Sequence, residues 1–195
     1  MRISLLKYVL LITSVFIIIA GCNRKSSFIP KPRGYFRIDF PEKKYQLYKS
    51  NCNYSFEYPV YGEIENYKGR DAEPCWINIV FQQFNSRLHL TYKKVDHNLA
   101  AYTEDIHSIA NKHIPKADDI IEKPIDYKQN RVFGMYYDIR GNTASSVNFY
   151  ITDSTDNFLS GALYFNSIPN KDSLAPVISF LSADIQHLLK TFEWN

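Results

Sequence analysis

The residue with the most clearly defined chemistry in this sequence is Cys22, which follows Ile19-Ala20-Gly21 at the end of a short apolar run. The basic residues Arg2 and Lys7, the apolar stretch over residues 9–20 and a small residue before the cut are features of a cleavable export signal. A cysteine directly after that cut is typical of a bacterial lipobox, in which the thiol is acylated before cleavage. We therefore predict a lipoprotein with a covalent lipid on Cys22.

The alternative for this segment is a signal anchor that stays in the membrane. The apolar run covers 12 residues, whereas a helix needs about 20 to span a bilayer. We therefore predict a signal peptide over residues 1–21 and a flexible, lipid-anchored linker over 22–33, rich in Ser, Pro and basic residues. One domain is expected over residues 34–195.

Two further cysteines, Cys52 and Cys75, remain in the exported chain. An even number of cysteines in an oxidising compartment favours a disulfide between them. Metal ligation and reduced, buried thiols are the alternatives. No histidine lies near either cysteine in the sequence, and two thiolates do not complete a tetrahedral metal site.

Catalytic and metal-binding patterns are missing from the sequence. After residue 21, no Gly-x-Ser-x-Gly, Ser-x-x-Lys or P-loop pattern occurs, and the five histidines lack zinc-protease spacing. We expect no catalytic residue, no metal ligand and no cofactor other than the lipid. A hydrolase using His113 with Asp118 or Asp119 is a minor alternative, and the acidic turn at residues 153–156 is interpreted as a hairpin turn rather than a calcium site.

A run of small and polar residues at positions 141–146 interrupts two aromatic strands. Such a loop could present backbone N–H groups to a partner, although a solvated hairpin loop is the simpler interpretation. The candidate partner-binding residues are Gly141, Asn142, Thr143, Ser145 and Ser146.

The elements that must position these residues are mostly strands, since apolar residues alternate along residues 35–40, 54–58, 76–81 and 87–92. A helix is predicted after a cap at Asp96, three more strands follow it, and a second amphipathic helix capped by Ser173 ends the chain. This pattern predicts an α+β fold with a mainly antiparallel sheet and two principal helices. The order of elements resembles the α/β/α sandwich of the PsbP/Mog1 type.

Charge and composition narrow the function classes. The formal net charge is +3, and it falls to +1 once the signal, with two basic and no acidic residues, is removed. A nearly neutral exported domain gives no electrostatic basis for nucleic-acid binding. The chain contains 15 Tyr and 13 Phe, so a module that binds a cell-wall glycan or lipid through exposed aromatic rings is an alternative function.

Several motifs, taken in their order along the mature chain, resemble the gliding motility lipoprotein GldD family. The segments that carry the resemblance are residues 30–37, 52–56, 75–79, 90–93, 113 with 116–117, 132–137, 141–145, 150–155 and 158–165.

The resemblance implies a non-enzymatic accessory of gliding motility and of the associated type IX secretion machinery. Its partners would be other envelope proteins and lipoproteins of those systems. In bacteria of this kind, surface lipoproteins tend to carry acidic residues after the lipidated cysteine, whereas Asn23, Arg24, Lys25 and Ser26 follow Cys22 here. We therefore expect the protein to face the periplasm, from the outer rather than the inner membrane.

Overall fold

The computed structural model of the protein describes residues 37–49 and 52–195. The lipobox with Cys22, the predicted signal peptide, the predicted linker and the first residues of the predicted domain lie outside the described residues. The described residues belong to one compact unit, Arg37–Asn195.

Strands dominate this part of the chain and form two antiparallel sheets. In chain order the elements are β1 (Tyr45–Lys49), β2 (Tyr54–Pro59), β3 (Glu63–Asn66), β4 (Ile77–Phe81), β5 (Ser86–Lys94), α1 (Leu99–Asn111), β6 (Ala117–Tyr127), β7 (Val132–Gly141), β8 (Ser145–Thr152), β9 (Asn157–Phe165), α2 (Lys171–Lys190) and β10 (Glu193–Trp194). The smaller sheet has the order β1-β2-β10, and the larger has the order β3-β4-β5-β9-β8-β7-β6.

The two helices cover opposite faces of the seven-stranded sheet. Side chains of β8 and β9, including Phe149 and Leu163, point to one face and form the main core with Leu181 and Ile185 of α2. The other face of β7 presents Tyr137 and Ile139, which cluster with Ala110 of α1. The α+β class, the mainly antiparallel sheet and the two principal helices are therefore confirmed.

The predicted helix starts differ from those observed. The N-cap of α1 is Asn98 rather than Asp96. The N-cap of α2 is Asn170, whose side chain accepts a hydrogen bond from the backbone N–H of Ser173. Ser173 is therefore a residue of the first turn and not the cap, because the amide oxygen of Asn170 already satisfies its N–H.

The first predicted strand, over residues 35–40, is wrong for its described part, since residues 37–44 form no strand. This segment is instead held by side chains. The Phe40 ring stacks on Phe180 of α2, with 4.4 Å between centroids, and Lys43 donates to the backbone carbonyl of Phe180 at 2.8 Å. In the described part of this segment, Phe40 therefore contacts a helix and takes no part in strand pairing.

In residues 37–49 and 52–195, no helix is both long and apolar enough to cross a membrane.

Candidate functional site

The predicted partner loop begins at the end of β7 with Gly141, whose φ of +125° is a conformation that favours glycine. Asn142 follows it and is exposed. The Asn142 Oδ1 atom accepts a hydrogen bond from the backbone N–H of Lys171 at 2.8 Å, and the Lys171 ammonium lies 2.6 Å from Asp118 Oδ2. The loop is thus tied to the first turn of α2 and to the start of β6.

Three of the five predicted partner residues have buried side chains, namely Thr143, Ser145 and Ser146. The Thr143 hydroxyl donates to the carbonyl of Ser145 at 2.9 Å. Ser145 is fully buried, with its Oγ atom 3.0 Å from the carbonyl of Leu163. Any partner that meets this loop would therefore contact Asn142 and Ala144, which are exposed.

A second feature is a row of side chains on the α1 face of the seven-stranded sheet, one from each strand in direct register. We call it the cross-sheet row. In spatial order its members are Glu65, Asn78, His89, Ala162, Asn148, Tyr137 and Glu122. Because directly paired residues of antiparallel strands point to the same face, these side chains form a polar line across a largely apolar sheet.

A cleft of about 370 Å³ opens above the middle of the cross-sheet row. Its floor includes Asn78, His89 and Asn148, and the small side chain of Ala162 leaves room between them. Ile106 of α1 lines the side opposite the sheet. This volume lies within the range of about 300–1,000 Å³ that is usual for small-molecule sites.

Aromatic side chains form one wall of the cleft. Tyr67, Trp76 and Tyr164 line it and are all partly exposed. The Tyr67 and Trp76 rings lie 5.8 Å apart, and the His89 ring is edge-on to Tyr164 at 5.3 Å. The cleft therefore combines flat apolar surfaces with polar groups on its floor.

His89 sits in this cleft as a neutral group. Burial is the main reason that its pKa is lowered, and the positive charge of Arg87 on the same strand lowers it further. Its Nδ1 atom lies 2.5 Å from Asn78 Oδ1. At neutral pH the imidazole therefore offers a hydrogen-bonding ring rather than a positive charge.

The amide oxygen of the Asn148 side chain has a hydrogen-bond partner, whereas its amide nitrogen has none. The residue is 1% exposed, and its Oδ1 atom lies 2.7 Å from the Ser145 hydroxyl. Its Nδ2 atom is buried and has no hydrogen-bond partner among the described residues. A buried amide group without a partner costs about 1–3 kcal/mol of folding free energy. A ligand in the cleft that hydrogen-bonds to Asn148 would remove this cost.

Of the residues in the minor hydrolase alternative, Asp118 is held in an ion pair with another element. The Asp118 carboxylate pairs with Lys171, Asp119 is exposed, and burial lowers the pKa of His113. Across residues 37–49 and 52–195 no three acidic, histidine or cysteine side chains are grouped so that they could hold a metal ion.

The acidic turn between β8 and β9 is organised by Asp153. Its carboxylate accepts hydrogen bonds from the backbone N–H groups of Thr155, Asp156 and Asn157 at 2.9–3.0 Å, and from the Asn157 side chain at 2.7 Å. Burial opposes ionisation, but these hydrogen bonds outweigh it and lower the pKa of Asp153 to about 2. The carboxylate thus closes a hairpin turn, as the sequence predicts.

Cys52 and Cys75 are joined by a disulfide, with their Cα atoms 5.8 Å apart. The bond links the segment just before β2 of the small sheet to the segment just before β4 of the large sheet. The Tyr54 hydroxyl donates to the carbonyl of Cys75 at 2.8 Å, which fastens the same junction.

Sequence reasoning did not identify the cleft. The available signal was the polar residue Asn148, placed between the apolar residues Val147 and Phe149 in one strand. The alternation of His89 with Leu88 and Leu90 gave a similar signal on β5. Neither pattern shows that the two polar residues lie in one row, because that depends on the register of β5, β9 and β8.

Comparison with known proteins identifies a family and shows similarity to solved structures. A family model described as gliding motility lipoprotein GldD matches residues 25–194. No curated protein sequence matches the chain. The solution structure of cyanobacterial PsbP (CyanoP) from Synechocystis sp. PCC 6803 is similar with 11% sequence identity and a TM-score of 0.49, over 80% of this chain and 95% of that one.

Proposed function

The chain belongs to the gliding motility lipoprotein GldD family, and on that premise we propose that it is a non-enzymatic assembly component of the type IX secretion machinery that accompanies gliding. The observation that carries the proposal is the family match over residues 25–194, which includes all of the described domain except its last residue. A role in gliding motility follows from the family, and the secretion role is the part that we propose.

The contacts of the titratable side chains support a non-enzymatic role. His187 Nε2 lies 2.7 Å from Glu57 Oε2, a hydrogen bond that joins α2 to β2. His89 is paired with Asn78, and Asp118 is paired with Lys171. Each of these groups fastens one element of the fold to another, which is what a structural protein requires of its polar side chains.

We propose a docking surface made of Asn142 and Ala144 of the loop, Lys171 of α2 and Asp118 of β6, and we call it the loop surface. All four residues are exposed. The hydrogen bonds from Lys171 to Asn142 and Asp118 hold the three elements together, so that a partner would meet a fixed surface. The alternating charges of Lys171 and Asp118 suit a polar protein partner.

In this proposal, a lipid on Cys22 determines where in the cell envelope the protein is held. Two or more acyl chains hold a protein at a membrane far more firmly than one chain does. The residues after Cys22, from Asn23 to Ser26, include no acid, which supports a periplasmic position at the outer membrane. An assembly component held there would stay beside a machine that spans the envelope.

Site-specific photo-crosslinking in living cells tests the proposal. A photoreactive amino acid would replace Asn142 or Ala144, with Thr155 as the control, because Thr155 is exposed in the turn at the opposite end of β8. We expect crosslinks to gliding or secretion proteins from the two loop positions and none from Thr155.

Capture of no such component from either loop position, in cells that still glide, would contradict the proposed docking surface. A deletion strain that secretes motility adhesins normally would contradict the secretion role itself. The two results are separable, since the first concerns the surface and the second concerns the function.

A further inference from the structure

The cleft between α1 and the cross-sheet row has the properties of a ligand site. We propose that it binds a neutral, hydroxyl-bearing ring, namely a sugar unit of a glycan. This inference goes beyond the proposed assembly role and does not depend on it, because the cleft and the loop surface share no residue.

The unsatisfied amide of Asn148 indicates what the ligand must supply. The Ser145 hydroxyl has one proton, yet three acceptors lie within 3.0 Å of its Oγ atom, among them Asn148 Oδ1. Either the oxygen or the nitrogen of the Asn148 amide can face Ser145. In both orientations the other amide atom has no partner in the protein and is available to a ligand in the cleft. A ligand hydroxyl satisfies that atom in either orientation, because a hydroxyl both donates and accepts.

The charge of the lining selects for a neutral ligand. Among the residues that the structure describes, no Asp, Glu, Lys or Arg lines the cleft, and the pKa of His89 on its floor is lowered. Lys93 lies 5.3 Å from the Trp76 ring, but it pairs with Glu73 and is not part of the lining. A phosphate or carboxylate would therefore lose its hydration without gaining a countercharge.

The aromatic wall suits the apolar face of a sugar ring. Tyr67, Trp76 and Tyr164 present partly exposed rings to the cleft. The face of an aromatic ring carries a partial negative charge, and the C–H groups on one face of a pyranose are polarised positively. The sugar can thus stack on this wall while its hydroxyls reach the polar floor.

The polar floor argues against an acyl chain as the ligand. Asn78, Thr91, Asn148 and Ser160 all line the cleft. Thr91 and Ser160 already bond to each other at 2.6 Å, and Asn78 bonds to His89. An acyl chain would, however, cover the buried Asn148 amide and leave it without a hydrogen-bond partner, at a cost of about 1–3 kcal/mol. A hydroxylated ring avoids that cost, and the glycan is therefore the favoured occupant.

The two tryptophans of the chain allow a direct test. Trp76 lines the cleft, whereas Trp194 in β10 donates to the carbonyl of Arg131 at 3.1 Å and does not line it. The variant Trp194→Phe leaves Trp76 as the only indole in the protein, and Trp76→Phe leaves Trp194 as a matched control.

Both variants would be titrated with neutral oligosaccharides of glucose, mannose, galactose and N-acetylglucosamine, and with palmitate and inorganic phosphate. We expect a saturable fluorescence change with at least one oligosaccharide in the Trp194→Phe protein and none in the Trp76→Phe protein. Adding Asn148→Ala should weaken binding about tenfold, since one buried hydrogen bond is lost. Adding Thr155→Ala, in the exposed turn after β8, should leave affinity unchanged.

A response to palmitate or phosphate with none to any sugar would overturn the proposal, as would no response to any oligosaccharide at millimolar concentration. If Asn148→Ala lowers the unfolding midpoint, Tyr67→Ala replaces it, because Tyr67 is partly exposed at the wall. Unchanged sugar affinity in that variant would also contradict the site.

Discussion

Lys43 and Asp184 are 141 residues apart in the sequence, and their side chains meet with 2.6 Å between Nζ and Oδ1. Asp184 lies on the buried side of α2, and its side chain is 1% exposed. The hydroxyls of Tyr45 and Tyr61 also donate to its carboxylate. One buried charge therefore fastens the segment before β1, and the loop after β2, to the last helix.

We predict that Asp184→Ala destabilises the domain by about 3 kcal/mol, because it leaves a partly buried ammonium and two hydroxyls without their acceptor. The free energy of unfolding in urea measures this. The matched pair of controls is Lys43→Met and Lys44→Met. Lys44 pairs with Glu42 on the surface, so its loss should cost less than about 0.5 kcal/mol. If Lys43→Met and Lys44→Met lowered the free energy of unfolding equally, the ion pair of Lys43 with Asp184 would not stabilise the domain.

The disulfide is expected to contribute substantially to stability. Cys52 and Cys75 are 23 residues apart, and closing a loop of that length stabilises by about 3 kcal/mol in the chain-entropy model. The double variant Cys52→Ser/Cys75→Ser should therefore unfold at lower denaturant concentration. Dithiothreitol should shift the original protein towards the variant and leave the variant unchanged. An original protein that is insensitive to reduction, while its thiols become reactive, would contradict the prediction.

Asp153 should give the domain a specific sensitivity to acid. Its pKa is lowered from 3.8 to about 2 in the folded chain, so its stabilising effect is complete above pH 4 and is lost as the pH falls from about 4 to 2. Asp153→Asn should cost about 2 kcal/mol at pH 7 and should flatten the dependence of unfolding free energy on pH in that window. Asp156→Asn, in the exposed part of the same turn, is the control and should keep the original profile.

The central strands could be predicted from the sequence, while strands at the sheet edges were missed. β2, β4, β5, β7, β8 and β9 follow from their apolar alternation. β1, β3, β6 and β10 all lie at an edge of their sheet, where one side of the strand is open and the apolar pattern is weak. Pro124 within β6 is tolerated there because an edge strand has one set of N–H groups without ladder partners.

The sequence also did not allow a prediction of which face of the sheet each apolar line of side chains would cover. Met135, Tyr137 and Ile139 of β7 and Val147 and Phe149 of β8 each form an apolar line in the sequence. In the structure the first line faces α1 and the second faces α2. Both faces of the central strands are covered, so alternation alone does not distinguish them. For the same reason the cross-sheet row, and with it the candidate cleft, became visible only with the strand register.

Gly141 is expected to be intolerant of a side chain. A Cβ atom at this position would lie 2.7 Å from the carbonyl oxygen of Lys116 and 2.8 Å from the backbone nitrogen of Asp118. Its φ of +125° is also strained for other residues. Gly141→Ala should therefore cost more than about 1 kcal/mol in unfolding free energy, whereas Ala144→Ser, on the exposed side of the same loop, should be nearly neutral. A tolerated Gly141→Ala would show that the junction of β6 and β7 can open.

The predicted lipidation of Cys22 leads to a prediction in cells. A deletion strain would be complemented with the original gene, with Cys22→Ala or with Ser26→Ala, the last being a control in the same predicted linker. Without a thiol at position 22 no acyl chain can be attached, so we expect the Cys22→Ala protein to leave the membrane fraction. Ser26→Ala should fractionate and function like the original.

The proposed role requires the protein to stay beside an envelope machine, so Cys22→Ala should also reduce colony spreading and adhesin secretion at equal protein levels. Immunoblots of the fractions and of the secreted adhesins provide the measurement. Normal spreading and secretion by a protein found only in the soluble fraction would show that the domain acts without its anchor. Contacts of the folded domain would then keep the protein beside its partners in the periplasm, and the loop surface would be the first place to search for those contacts.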